Sequence, residues 1–220
     1  MTSLAKNRQT SGFALDHLVL AAASLEAGSE YIWHKFGVRP DPGGTHKGWG
    51  THNSLMQVGG GTYLEIIAPD PSQPDPNEPR PFGIDSPQLH ERIAVRPRLV
   101  HYMLRTADIA ATSYNLDYDP GPIKNMSRGD LHWQLTVRPM RGQPDEALMP
   151  SLINWGQSIP PAGSLLTRGV VLTTLHVRGP AALRVKLAPL AQDRRIKIGE
   201  HDSPMLAAEF QTPSGWAILD

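Results

Sequence analysis

Along residues 14–23, ALDHLVLAAA, side chains alternate with a period of two: Leu15, His17, Val19 and Ala21 fall on one face, Asp16, Leu18 and Leu20 on the other. This predicts a strand buried on both sides or nearly so. The period then changes. Ser24 stands where a helix N-cap belongs, Leu25, Ile32, Trp33 and Phe36 make the apolar stripe of a helix over Leu25–Phe36, and Gly37 ends it. A short strand at Val38 and Arg39 leads into a turn-rich stretch. A β-hairpin follows, with strands at Asn53–Val58 and Tyr63–Ala68 joined by a turn at Gly59–Gly61. On its second strand Tyr63, Glu65 and Ile67 share one face. A lone carboxylate there is costly to bury unpaired, so Glu65 must meet water, a cation or a hydrogen-bond donor.

The pattern repeats. Leu99–Ile109, LVHYMLRTADI, lies without a gap on Leu15–Leu25, LDHLVLAAASL, so that His101 falls on His17, Leu104 on Leu20 and Asp108 on Ser24. A whole β, α, β, β, β module is therefore used twice. The second copy continues with a helix from Asp108 to Leu116, a loop through Asp117–Asn125, a strand over Asp130–Arg138 and a last strand within Leu148–Gly156. On the 130–138 strand Trp133, Leu135 and Val137 form the apolar face. His132, Gln134 and Thr136 form the polar one. A weaker third echo runs through Val170–Val177, a helix over Ala181–Leu190 after Pro180, and a hairpin in Met205–Leu219 turning at Pro213–Gly215. Thr173 and Ile218 take the places of His17 and Glu65 there, so this half-module reads as structural.

These boundaries give a leader at 1–12, a first module at 13–69, a linker or covering loop at 70–97, a second module at 98–160 and a third half-module at 168–220. Six prolines between Pro69 and Phe82 mark the linker. Lys plus Arg and Asp plus Glu both number 21, so no global field argues for nucleic acid or an anionic membrane. No apolar run approaches the roughly 18 residues a bilayer-spanning helix needs. With no Cys, disulfides and thiolate chemistry are excluded, and a reducing, cytoplasmic setting is consistent with that. GxSxG is absent and Glu65 has no carboxylate partner, which leaves hydrolytic triads and glycoside chemistry unsupported. Arg194, Arg195 and Lys197 read as a solvated basic cluster, and His34 as a residue at a helix end.

The paired modules, together with GGTHKGWGTHN, TYLEIIAP and LMPSLINW, resemble the vicinal oxygen chelate superfamily, home of glyoxalase I and the extradiol dioxygenases, and within it the glyoxalase-like domains. The resemblance spans roughly residues 14–190. It implies an α+β fold whose tandem βαβββ modules curve a mixed sheet into a cup with helices outside. It also implies a divalent metal, Fe, Mn, Ni, Zn or Co, held by His17, Glu65 and His101, with Ile153 or Asn154 leaving the fourth ligand place empty. Three protein ligands would leave positions for water and a substrate with adjacent oxygens. The dioxygenases usually take their carboxylate from the second module, so that activity does not transfer directly to a chain whose Glu65 lies in the first.

On this reading the protein is a metal-dependent lyase, isomerase or dioxygenase in which Glu65 and His132 do proton work. His46, His52, Asn53, Tyr63, Arg105, Gln134 and Trp155 are the expected substrate contacts. The rival is a metal-free binding protein using the same cup, with Glu65 neutralised by Arg105. Both take a small-molecule partner, and both leave room for a monomer or a homodimer that closes the cup between chains.

Overall fold

The structure, a computed structural model, describes residues 12–220, so all of the expected leader but Gly12 lies outside the described residues. The first module is β1 (Ala14–Ala21), α1 (Leu25–Phe36), β2 (Asp41–His46), β3 (Thr51–Gln57) and β4 (Tyr63–Pro69). Ser24 caps α1 by accepting from the Ala27 N–H at 3.1 Å, and Gly37, with φ of 74°, closes its C-terminal end. A helix α2 (Pro87–Val95) precedes the second module, which is β5 (Arg98–Arg105), α3 (Ile109–Asn115), β6 (Ile123–Arg128), β7 (Leu131–Thr136) and β8 (Ser151–Asn154). The chain ends with β9 (Val171–Gly179), α4 (Ala181–Leu187), β10 (Ile196–Glu200), β11 (Met205–Thr212) and β12 (Gly215–Leu219).

The two modules make one sheet in the order β2-β3-β4-β1-β5-β8-β7-β6. In each, the first and last strands pair in parallel, β1 with β4 and β5 with β8, and β1 meets β5 antiparallel at the centre. The cup is thus closed within one chain. Its two ends approach each other: Arg128 Nη1 on the edge strand β6 lies 3.4 Å from Asn53 Oδ1 on β3, the strand next to the other edge. Both edges escaped the hydrophobic pattern for the same reason. β6 is mostly exposed, and β2 carries Pro42 and two glycines on an edge where a missing N–H costs little.

The convex face carries the main core. Leu15, Leu18 and Leu20 of β1, Tyr102 and Leu104 of β5, and Ile32 and Phe36 of α1 belong to one cluster with Leu175, Val177, Ala208 and Phe210 of the last unit. That unit is a second sheet, β10-β9-β11-β12, in which β9 pairs in parallel with β10 and antiparallel with β11. It repeats the element order of the modules but not their pairing, so it is a packing layer and not a third copy.

The expected covering segment is anchored. Arg80 donates to Asp75 and Asp85 at 2.7 Å each and to the Gly50 carbonyl at 2.8 Å. Beyond it α2, capped by Ser86 and opened by Pro87, packs on the concave side: Leu89 and Ile93 join Val19, Ala21, Ile67 and Val100. One end of the cup is therefore plugged by an apolar helix.

Candidate functional site

The centre of the site is a pair of β-bulges. The pairing of β1 with β5 skips Asp16, between Leu15 and His17, and skips Val100, opposite the step from Val19 to Leu20. A bulge turns consecutive side chains to the same side. Leu15 and Leu18 thus both enter the convex core, while Asp16 joins His17 on the cup side, correcting the face assigned to Asp16 by strict alternation. Val100 follows Asp16 at the same offset by which His101 follows His17, so the internal repeat includes its irregularities.

His17 is held by what surrounds it. Its Nδ1–H donates to Asp16 Oδ1 at 2.7 Å, and its ring stacks on Tyr63 with centroids 4.5 Å apart. Asp16, fully buried, also accepts from the Trp155 indole N–H at 3.0 Å. The Nε2 lone pair of His17 is left facing Glu65 Oε2, 3.7 Å away. On the far side, Asn53 Nδ2 donates to Glu65 Oε1 at 2.7 Å and to His46 Nε2 at 3.1 Å. His46 must then carry its proton on Nδ1, which meets Thr51 Oγ1 at 2.9 Å. Burial above all holds its pKa below the usual histidine value, against the pull of Glu65. Burial also drives the Tyr63 hydroxyl well above its ordinary range, with Asp16 and Glu65 adding to it. The result is a row of polar groups, His17, Glu65, Asn53 and His46, across a cavity of about 100 Å³, with Asp16 buried behind His17. Much of its remaining wall is apolar, from Leu55, Met103, Trp133, Leu135, Ile153 and Trp155, with Arg128 and Arg138 among the rest.

Of the expected site residues, His17, His46, Asn53, Tyr63, Glu65 and Trp155 line this one cavity. Four others do not. His52 lies between two cup-lining residues of β3 and so points to the opposite face, its Nδ1 3.8 Å from Asp70 Oδ1. His132 and Gln134 likewise lie on the outer face of β7: His132 is exposed, and Gln134 donates to Asn125 Oδ1 at 2.9 Å. The cup takes the apolar face of that strand. Arg105 reaches Asp16 Oδ2 at 3.5 Å from outside the cavity and does not contact Glu65. The cations that do line the cup, Arg128 and Arg138, were not singled out in the sequence, nor were Asp16 and Phe82.

His101 faces the same side of the sheet as His17 but is sealed off. Its Nε2 accepts from the Ser151 backbone N–H at 3.1 Å and lies 2.9 Å from Ser151 Oγ, and Phe82 covers its ring at 5.2 Å. The proton is therefore on Nδ1, which is buried without a partner, because Val100 stands where Asp16 serves His17. Among the described residues no three His, Asp or Glu side chains surround a common point. The set of His17, Glu65 and His101 does not fit a divalent ion as three ligands, since the one free nitrogen of His101 holds its proton inside the wall.

Burial, then Arg138 and His17, lower the His101 pKa to about 3. The unfolded imidazole takes a proton below about pH 6.5 and the folded one does not until near 3, so stability is whole above 6.5 and is lost as pH falls through that window. Going from pH 7 to 5, His101→Leu is expected to lose about 2 kcal/mol less unfolding free energy than the unsubstituted protein, measured by denaturant titration. Equal losses would place the acid sensitivity elsewhere.

A family model described as a glyoxalase-like domain matches residues 15–190. Among solved structures, a hypothetical protein from Staphylococcus aureus superposes with a TM-score of 0.52 over 94% of this chain and 85% of its own, at 15% identity. Methylmalonyl-CoA epimerase from Mycobacterium tuberculosis gives 0.41 over 66% of this chain and 87% of its own at 15% identity. A variant of the Streptomyces coelicolor epimerase in complex with 2-nitronate-propionyl-CoA gives 0.43 over 67% and 96% at 14%. The first of these supports the fold; the epimerases are more distant. No curated protein matches the sequence.

Proposed function

Since the chain belongs to the glyoxalase-like domain family of the vicinal oxygen chelate superfamily, we propose that its cup is the active site of a small-molecule isomerase in which Glu65 and His17 move a proton beside a carbonyl group. The observation that carries this reading is the 3.7 Å gap between Glu65 Oε2 and His17 Nε2, two acid–base atoms each held from behind, by Asn53 and by Asp16. The gap is too long for a hydrogen bond and leaves both lone pairs open to a ligand.

In the proposed step Glu65 Oε2 takes the proton from the carbon next to the carbonyl. The C–H electron pair moves to the carbonyl oxygen, making an enolate, while His17 Nε2 carries the proton of the adjacent hydroxyl to that oxygen, and Glu65 then delivers its proton to the former carbonyl carbon, leaving the new carbonyl where the hydroxyl was. Arg128, half-buried at the cup wall, supplies positive charge for the enolate oxygen. Both acid–base atoms lie on one side of any bound ligand. This arrangement suits transfer between adjacent atoms on one face, whereas inverting a stereocentre calls for groups on both. Superfamily members commonly bind divalent metals. Here the three implied donors do not converge, and the proposed chemistry runs on side chains.

The test is proton exchange in D2O. A panel of small hydroxyketones and keto acids is incubated with the protein and followed by proton NMR. Deuterium entering one carbon-bound position, on one face, supports the reading. Compounds that bind, by quenching of tryptophan fluorescence, yet exchange no proton would make the cup a binding site only and overturn it.

A further inference from the structure

Phe82 and Met140 are shared walls. On one side lies the cup, on the other a second cavity of about 150 Å³ between α2, β5 and the start of β11. Its polar lining holds two guanidinium groups, Arg92 from α2 and Arg98 from the first position of β5, beside Gln143 and Asp220. The Nε of Arg98 is buried and has no hydrogen-bond partner. Among the described residues the Arg92 side chain has no partner either. Arg96, one helical turn from Arg92, takes Asp220: its Nη2 bonds the side-chain Oδ2 at 2.6 Å and its Nη1 the main-chain oxygen at 3.3 Å, leaving Arg98 Nη1 3.8 Å from Oδ2.

Three guanidinium groups thus share one side-chain carboxylate, and a planar fork with five N–H donors is poorly satisfied by such an arrangement. The Arg92 pKa lies below the usual arginine value, through burial first and then through repulsion from Arg98 and Arg96. Two under-paired guanidinium groups on the wall of one open cavity supply the charge and the donors that an anion site needs.

We propose that this cavity is an oxyanion subsite, binding a phosphate or carboxylate group between Arg92 and Arg98. The anion would bond the Arg92 and Arg98 guanidinium groups that line the cavity and offset the repulsion within the cluster. Because the cavity adjoins the cup across Phe82 and Met140, its occupant is either a free ion or the charged end of an extended ligand whose body enters the cup. The subsite itself does not depend on the proton chemistry proposed for Glu65 and His17.

The test is calorimetric titration with inorganic phosphate and with phenyl phosphate. The unsubstituted protein is expected to bind phosphate saturably. Arg92→Gln and Arg98→Gln should each weaken binding about tenfold, the loss of one charge-assisted contact. Asp220→Asn should tighten it by removing a competing negative charge, and Arg128→Gln, on the cup wall, should leave it unchanged. Phenyl phosphate binding more tightly than phosphate marks an extended ligand; equal affinities mark a free ion, and both support the subsite. Circular dichroism and melting curves confirm that the variants fold. The proposal is overturned if folded Arg92→Gln and Arg98→Gln bind phosphate as the unsubstituted protein does, if only Arg128→Gln loses binding, or if no saturable binding is seen.

Discussion

Glu65→Gln is expected to slow proton exchange by about 10²- to 10⁴-fold while leaving the fold intact. The substitution keeps the shape of the side chain and an oxygen to accept from Asn53 Nδ2, the contact now made at 2.7 Å. It removes only the basic carboxylate. Unfolding free energy should therefore change little, because the new amide N–H can point at His17 Nε2, an acceptor in the tautomer that Asp16 enforces. Asp16→Asn gives the complementary result. Its amide has one oxygen for the His17 N–H and the Trp155 N–H together, where the carboxylate offered two, so both the fold and the His17 tautomer suffer. Exchange and stability should fall together in Asp16→Asn and separate in Glu65→Gln. Exchange by Glu65→Gln within about threefold of the unsubstituted rate would remove Glu65 from the proposed step.

The site residues that could be read from sequence are those on regular strands with the expected alternation: Glu65 and Tyr63 on β4, Asn53 on β3. Those that could not be read share a physical cause. A bulge resets the two-residue period, and no side-chain pattern announces it, so Asp16 seemed to face the convex core. On β7 the polar face was assigned to the cup because a reaction centre is expected to be polar. The cup is walled largely by apolar groups, and His132 and Gln134 are simply the solvent side of a strand near the sheet edge. Arg128 was hidden because β6 has no apolar face and so reads as a loop. The repeat was legible in its periodicity and in its histidines. What differs between its copies decides their roles: an acid behind His17 leaves Nε2 free for chemistry, while a valine behind His101 leaves that ring to structure.

Phe210→Ala is expected to cost about 3–5 kcal/mol of unfolding free energy, although it lies on the face of the sheet away from the cup. Phe210 is fully buried at the middle of β11, its ring 4.9 Å from Phe36 on α1, inside the cluster that also holds Leu15, Leu18 and Leu20 of β1. Trp216→Ala on the neighbouring β12 removes a larger side chain that is 73% exposed and should cost within about 0.5 kcal/mol. Hydrogen bonds beside the second sheet also reach the site. Arg195 grips Asp193 at 2.7 Å, Asp193 accepts the Leu15 N–H at 3.2 Å, and Arg195 also bonds Thr62 Oγ1 at 2.8 Å, whose hydroxyl donates to the Leu15 carbonyl at 2.9 Å. Arg195, which the sequence placed in a solvated basic cluster, thus ties the second sheet to the residue next to the Asp16 bulge. The two sheets should therefore unfold as one unit: loss of β-sheet circular dichroism and the change in cup tryptophan fluorescence should coincide in Phe210→Ala as in the unsubstituted protein. Separate transitions, with the cup signal surviving the first, would show that the second sheet is an independent layer and that the bulge holds its shape without it.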